Sequence, residues 1–115
     1  MAIISGKLDR LDKAFSALAD PTRRAILVRL AAGEATVSEL MTPFALSQPT
    51  ISKHLKVLEQ AGLIEQGRDA QRRPRRLSAA ALEDAADWID DFRRQWMGRL
   101  DRLENHLASM KTDET

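Results

Sequence analysis

The sequence has no cysteine and no tyrosine, and it holds only two histidines among 115 residues. Without cysteine there can be no disulfide bond, no thiolate metal ligand and no cysteine nucleophile. No stretch approaches the roughly 18 apolar residues of a membrane span, and charged residues appear early in the N-terminal segment. We therefore expect a cytoplasmic protein with no membrane partner.

The same shortages argue against an enzyme. The sequence has no glycine-rich phosphate loop, and no serine, histidine and carboxylate that the predicted helices would bring together. No cofactor is predicted. A chain of 115 residues suits one modest hydrophobic core and is too short for two independent ones, so we expect residues 1–115 to form a single domain.

Charge is unevenly distributed along the chain. The formal net charge is only +1, but residues 47–76 hold seven basic and three acidic side chains, whereas residues 77–115 hold five basic and nine acidic ones. A basic middle followed by an acidic tail indicates a localised anionic partner. Random clustering of surface charge is the alternative explanation.

The stretch SQPTISKHLKVLEQAGLI, residues 47–64, predicts a helix with an unusual outer face. Ser47 can cap its first turn, Pro49 is tolerated there, and Gly62 can end it in a left-handed conformation. Apolar side chains at helical spacing predict an inward face made of Ile51, Leu55 and Leu58. The opposite arc is short, polar and basic, and it receives Pro49, Lys53, Lys56 and Gln60, with Thr50 and Ser52 beside it.

Three more helices are predicted before this stretch. An apolar stripe predicts the first over residues 7–19, and Asp20 followed by Pro21 opens a second that runs to Gly33. Thr36 and Glu39 form a capping-box pattern that opens a short third helix. Residues 36–61 are therefore helix, short turn, helix, an arrangement that lets one helix brace another in the major groove of DNA.

Residues 63–77 alternate loosely and predict a short two-stranded hairpin with an arginine-rich tip. Pro74 lies near the return strand, so that strand is suited only to a sheet edge. Arginines at such a tip are well suited to reach phosphates or a minor groove. A disordered, solvated loop is the alternative.

From Ser78 to about Lys111 the chain has no proline and no strong helix breaker except Gly98. A continuous helix of that length spans about 48 Å. We expect its apolar seam to bury against the first helix of the same chain and against a second subunit, although a break at Gly98 into two helices is the alternative. The seam is close to a heptad repeat and consists of Leu82, Ala85, Ile89, Phe92, Trp96, Leu100, Leu103, Leu107 and Met110.

The chain resembles the ArsR family of bacterial winged helix-turn-helix regulators. The resemblance covers nearly all residues and is carried by LADPTRRAILVRL, ATVSEL, LSQPTISKHLKVLEQAGLI and GRDAQRRPRRLS. It implies a mainly α fold with a small β-hairpin: a helix-turn-helix at about 36–61, a wing at about 63–77 and a dimerisation helix at about 79–110. It also implies a homodimer, joined through its N- and C-terminal helices, that binds an imperfect inverted repeat in double-stranded DNA, usually to repress, at the nucleoid.

The resemblance and the helical geometry together nominate contact residues. The recognition-helix candidates are Ser47, Gln48, Thr50, Ser52, Lys53, His54 and Lys56. Lys56 is assigned to phosphate, and His54 fits a structural or phosphate-facing role better than base reading because it lies about 60° from the apolar stripe. The wing candidates are Arg72, Arg73 and Arg75, and the dimer candidates are Leu8, Leu11, Phe15, Ile89, Trp96, Leu100, Leu103 and Leu107.

Three further arginines have open roles. Arg23 and Arg24 are candidates either for holding the DNA backbone or for ion pairs within the domain. Arg76 is a candidate partner for the acidic final helix, whose charges follow it in the sequence.

Metal sensing, for which the ArsR family is best known, finds little support. The family's cysteine pair is absent. Asp101 and Glu104 lie on one face of the predicted helix, but His106 projects from another face, so the three side chains do not form a metal site. We predict no metal site, with a non-cysteine metal-responsive repressor as an alternative. Three alternatives are left for the effector: an unknown small molecule, a partner protein, or no effector at all. A helical protein-interaction adaptor on the same scaffold is the alternative from another class.

Overall fold

A computed structural model of the chain describes residues 2–68 and 71–113. The described part is mainly helical with one antiparallel hairpin, which confirms the predicted fold class. None of the described helices is both long and apolar enough to cross a membrane. The elements are α1 (Ala2–Leu18), α2 (Pro21–Ala31), α3 (Val37–Phe44), α4 (Gln48–Gln60), β1 (Ile64–Gln66), β2 (Arg75–Leu77) and α5 (Ala79–Asp113).

Three helices begin at the predicted capping residues. The carboxylate of Asp20 accepts from the backbone N–H of Arg23 at 3.0 Å, and the hydroxyl of Ser47 accepts from that of Thr50 at 3.4 Å. Thr36 and Glu39 complete a reciprocal capping box. These bonds satisfy backbone donors that a first helical turn leaves without partners, so the starts of α2, α3 and α4 are set locally.

Two left-handed residues separate α3, α4 and the hairpin. Ala45 ends α3 with φ of 53° and leads directly through Leu46 to the cap of α4. Gly62 has φ of 75° just after α4, as its sequence position predicts. A side chain is rarely tolerated at such angles, so glycine suits the second position, whereas alanine at the first adopts an uncommon conformation.

The core of residues 1–85, the first of two compact units, lies where α2, α3 and α4 meet the start of the hairpin. Helix α4 turns its predicted stripe inward, and helix α1 contributes the small side chains Ala14 and Ala17, which let it approach closely. Large apolar side chains fill the centre and lie almost entirely out of solvent. They are Ile26, Leu40, Ile51, Leu55, Leu58 and Leu63.

The hairpin is short and is tied to the domain at its neck. Ile64 pairs with Leu77, and Gly67 donates its N–H to the carbonyl of Pro74 at 2.7 Å. A Cβ on Gly67 would lie 2.9 Å from the Pro74 ring, so a larger residue would require the ring or the neighbouring backbone to shift. Arg75 also exchanges two backbone hydrogen bonds with Ala35, which anchors the second strand to the segment between α2 and α3.

Helix α5 runs without interruption through Gly98, so the alternative of two shorter helices is wrong. Its first turns belong to the first unit, where Leu82 packs against the core and Ala85 is buried. Residues 86–115 form the second compact unit. Within it, the rings of Trp88 and Phe92 stack with centroids 5.5 Å apart.

Candidate nucleic-acid interface

The first turns of α4 expose the polar arc that its sequence predicts. Gln48, Ser52, Lys53 and Lys56 are exposed, while the apolar stripe on the opposite side is buried. Exposure of this kind at the start of a recognition helix leaves amide, hydroxyl and ammonium groups available to base edges and phosphates. Together with Ser47 at the cap, five of the seven recognition-helix candidates are exposed.

Three of the candidates, Ser47, Thr50 and His54, make contacts within the protein. The Ser47 hydroxyl caps the helix and lies 2.9 Å from the hydroxyl of Thr50, which is itself half-buried. His54 points toward the start of α2, with its Nδ1 4.0 Å from a carboxylate oxygen of Asp20. Its side chain is only 20% exposed, which agrees with a structural histidine rather than a base reader.

The wing tip lies beside the start of α4. Arg72 and Arg73 border the same shallow depression as Gln48 and Ser52, and the first turn of α3 completes its wall. Three segments that are separate in the sequence, the start of α3, the start of α4 and the wing tip, therefore contribute to one surface. Its lining residues are Thr36, Val37, Ser38, Gln48, Ser52, Gln71, Arg72, Arg73 and Arg75.

Glu39 lies beside this surface, which its sequence position did not predict. Its carboxylate lies 3.7 Å from the Arg72 guanidinium, and both side chains remain substantially exposed. Hydrogen bonds from the Thr36 hydroxyl and N–H lower the pKa of Glu39, and the nearby positive charge of Arg72 acts in the same direction. The capping-box pattern predicted the bond to Thr36, but only the fold brings the wing against it.

Arg75, another wing candidate, makes contacts within the protein. Its side chain is only 13% exposed, and its Nε donates to the Glu59 carboxylate on α4 at 2.5 Å. The guanidinium also donates to the carbonyl of Arg73. Through these contacts Arg75 joins the hairpin to α4, while it also lines the depression.

Three other arginines also bind within the protein. Arg76 pairs with Glu65 across the hairpin at 2.8 Å. The prediction that it pairs with the final helix is therefore wrong. Arg23 donates to the carbonyls of Ala17 and Ser16, and Arg24 donates to that of Leu18. These last two side chains satisfy carbonyls at the end of α1 and thereby fix the angle between α1 and α2.

The dimer candidates differ in exposure within the single chain. Leu11 is 5% exposed and so belongs largely to the chain's own interior, whereas Leu8 is 52% exposed and Phe15 is half-buried. The candidates in the second unit all keep a large exposed fraction, between 39% and 53%. These are Ile89, Trp96, Leu100, Leu103 and Leu107.

Acidic and histidine side chains are the potential metal ligands of this chain. Across the part of the chain that the structure describes, no three His, Asp or Glu side chains form a group that could hold a metal ion. Cysteine is absent from the whole sequence, which removes the thiolate ligands that softer metals prefer.

Comparison with known proteins identifies the family. Residues 20–66 match the model of the arsR family of bacterial regulatory proteins. The transcriptional repressor SdpR of Bacillus subtilis is 37% identical over 82 residues, which cover 71% of this chain and 91% of that repressor. The chain belongs to the arsR family. It is therefore a DNA-binding transcriptional regulator with a winged helix-turn-helix fold.

Solved structures of arsR-family proteins agree with this fold. An ArsR-like transcriptional regulator from Rhodococcus sp. RHA1 superposes with a TM-score of 0.76 at 30% identity, covering 87% of this chain and 94% of that one. The homodimeric winged helix-turn-helix DNA-binding domain Mb0332 from Mycobacterium bovis gives a TM-score of 0.62 at 31% identity, covering 77% and 80% of the two chains.

Proposed function

We propose that this arsR-family protein is a homodimeric repressor that binds an inverted repeat in double-stranded DNA. Helix α4 enters the major groove with Gln48 and Ser52 toward base edges, and Arg72 and Arg73 of the wing contact the neighbouring backbone or minor groove. The observation that carries the proposal is the meeting of these four side chains on one surface. The name of the Bacillus subtilis relative supports repression as the sign of regulation.

The proposed contacts divide into two kinds by chemistry. The Gln48 amide can both donate to and accept from adenine, and the Ser52 hydroxyl suits any base edge. Lys53 and Lys56 are exposed ammonium groups farther along α4 and suit phosphates. Arg72 and Arg73 present guanidinium groups, which attract phosphates and narrow minor grooves.

Two observations support the homodimer. The second unit carries a row of large, half-exposed apolar side chains with near-heptad spacing, and such a row is stabilised when a second helix covers it. The Mycobacterium bovis neighbour is a homodimeric winged helix-turn-helix DNA-binding domain. A two-fold dimer presents two α4 helices to half-sites about 34 Å apart, which explains an inverted repeat.

The effector is proposed to act without thiolate-bound metal, because the sequence has no cysteine to supply such ligands. A small molecule, a protein partner and the absence of any effector remain as the alternatives. We also propose that the protein works in the cytoplasm at the nucleoid, where a bacterial DNA regulator finds its target.

Salt dependence of binding tests this function directly. Titration of the protein into fluorescent duplex DNA between about 50 and 200 mM salt should show affinity falling about 1,000-fold or more, because bound phosphates release counterions. An adaptor that docks through an apolar surface would show little dependence on salt. Binding to duplex DNA that stays flat over this range would contradict the repressor and favour the adaptor.

A further inference from the structure

We propose that Glu59 and Arg75 are positioning residues of the DNA interface. Their ion pair joins the last turn of α4 to the hairpin, so that the wing tip is held at a set place relative to the recognition helix. The inference rests on the proposed function, since it concerns the geometry of that same surface. It assigns an acidic residue a favourable role in binding a polyanion.

The contacts of Arg75 form a junction between three parts of the domain. Its Nε lies 2.5 Å from the Glu59 carboxylate, which is sixteen residues earlier and on another element. Its backbone exchanges hydrogen bonds of 2.7 and 3.0 Å with Ala35, and its guanidinium donates to the carbonyl of Arg73. One residue thus connects α4, the segment before α3, and the wing tip.

The position of Arg73 depends on this junction. Arg73 has φ of 47°, a left-handed conformation that a non-glycine residue seldom adopts without support from its surroundings. The hydrogen bond from Arg75 to the Arg73 carbonyl supplies such support at the tip. Arg75 in turn is held by Glu59, whose side chain is 27% exposed, so solvent only partly screens the pair.

The negative charge of Glu59 distinguishes a positioning role from a purely electrostatic one. Removing a negative charge from a DNA-binding domain strengthens binding if only long-range attraction matters. Glu59→Gln removes such a charge while keeping nearly the same side-chain size. If Glu59 positions the wing, the substitution instead weakens binding, because Arg72 and Arg73 lose their fixed placement.

The matched control is Glu65→Gln, on strand β1 of the hairpin that carries Arg75. Glu65 also pairs with an arginine, Arg76, but both side chains are about half exposed and neither borders the depression beside α4. This control removes the same charge from the same region, so it should leave DNA affinity equal or slightly higher. Thermal melting of each variant establishes that binding is measured on folded protein.

We expect Glu59→Gln to bind its DNA about tenfold more weakly, the size of one lost charge-assisted hydrogen bond. The slope of log affinity against log salt should also fall by about one to two per protomer as wing phosphate contacts are lost. Affinity and slope equal to those of Glu65→Gln would overturn the inference.

A second variant separates positioning from direct contact. Arg75→Lys keeps the positive charge but loses the planar fork that reaches both Glu59 and Arg73. It should weaken binding about as much as Glu59→Gln, and the double variant should be little weaker than either single one, since both act through one junction. Losses that multiply to about 100-fold in the double variant would show that Arg75 binds DNA independently, and would overturn the inference.

A measurement without DNA distinguishes failure of this inference from failure of the proposed function. Backbone ¹⁵N relaxation in the free protein should show larger fast motion at Arg72 and Arg73 in Glu59→Gln than in Glu65→Gln. Equal motion in the two variants would contradict the positioning role even if the wild-type protein binds DNA. If the wild-type protein does not bind DNA, the proposed function fails regardless of the relaxation result.

Discussion

The two compact units of this chain use apolar side chains in opposite ways. In residues 1–85, Leu40, Ile51 and Leu58 are completely buried within the single chain. In residues 86–115, Trp96 and Leu103 keep about half of their surface exposed. The first unit has enough neighbouring elements to enclose its large side chains, whereas the second consists of the distal part of one helix.

This difference in burial suggests that the first unit determines the stability of the fold and that the second unit serves dimerisation. Burial in the first unit provides the hydrophobic free energy that holds α4 and the wing as a reading surface. In the proposed dimer, the exposed row in the second unit gains that free energy when a second chain covers it. Substitutions of similar size should therefore act on folding in the first unit and on dimerisation in the second.

The largest expected effect comes from a charge placed in the exposed row. Leu103→Asp puts a carboxylate where the proposed dimer buries an apolar side chain, and burying an unpaired charge is strongly unfavourable. The variant should be monomeric in sedimentation, and its affinity for a two-half-site DNA should fall about 100-fold or more as avidity is lost. If the variant is still a dimer at the concentrations at which the wild-type protein is dimeric, the interface lies elsewhere.

A buried truncation should instead destabilise the fold. Leu40→Ala removes a side chain with no exposed surface, and such losses cost about 2 to 5 kcal/mol in the free energy of unfolding. Urea denaturation should give the same loss at every protein concentration. Val28→Ala, at a position 73% exposed on α2, is the control and should change stability by less than about 0.5 kcal/mol.

Leu107→Ala sharpens the contrast between the units. Leu107 is about half exposed in the single chain, so its truncation should destabilise the protein only at concentrations where the dimer forms. A loss of stability that does not depend on protein concentration would mean that Leu107 serves the fold of its own chain.

Within the reading surface, helix and wing should differ in what they recognise. Gln48→Ala should shift sequence preference at one base step by about 1 to 3 kcal/mol, because a base-edge contact is lost. Arg73→Ala should weaken binding to all sequences alike, since phosphates carry no sequence information. Binding to a panel of single-base operator variants measures both; equal losses across the panel for Gln48→Ala would contradict the division.

The smallest expected effect concerns the cap of α2. The hydrogen bond from the backbone N–H of Arg23 lowers the pKa of Asp20 below 3.8, with a further contribution from the Arg23 charge. A lowered folded-state pKa stabilises the fold above 3.8, and this contribution is lost as pH falls through the folded pKa. Asp20→Asn keeps a capping side chain but should lose this pH dependence.

Thermal unfolding of wild type and Asp20→Asn should therefore differ most near neutral pH and converge in strong acid. A difference between the two melting temperatures that grows as pH falls would have the wrong sign for a carboxylate with a lowered pKa.

Features that depend on near neighbours in the chain were predictable from the sequence. The caps at Asp20, Thr36 and Ser47 use bonds to residues three positions later, and the stripe of α4 follows from helical spacing alone. The sequence left two predictions at Gly98, a continuous helix or a break, because a single glycine weakens a helix without necessarily breaking it. The structure has the continuous helix.

The roles of individual arginines could not be derived in the same way. Arg75 stands among three other arginines in the sequence, yet only its side chain meets Glu59 across sixteen residues of separation. Arg23 and Arg24 bind carbonyls of α1, which depends on how two helices cross. Long-range pairing of this kind follows from the fold rather than from local pattern.

Selection of bound duplexes from a random DNA pool tests the central claim most directly. The selection is made at roughly physiological salt, with and without added zinc. We predict enrichment of an inverted repeat whose half-sites lie about one helical turn apart, unaffected by zinc. No enrichment would contradict the repressor function, and enrichment that disappears with zinc would contradict its independence from metal.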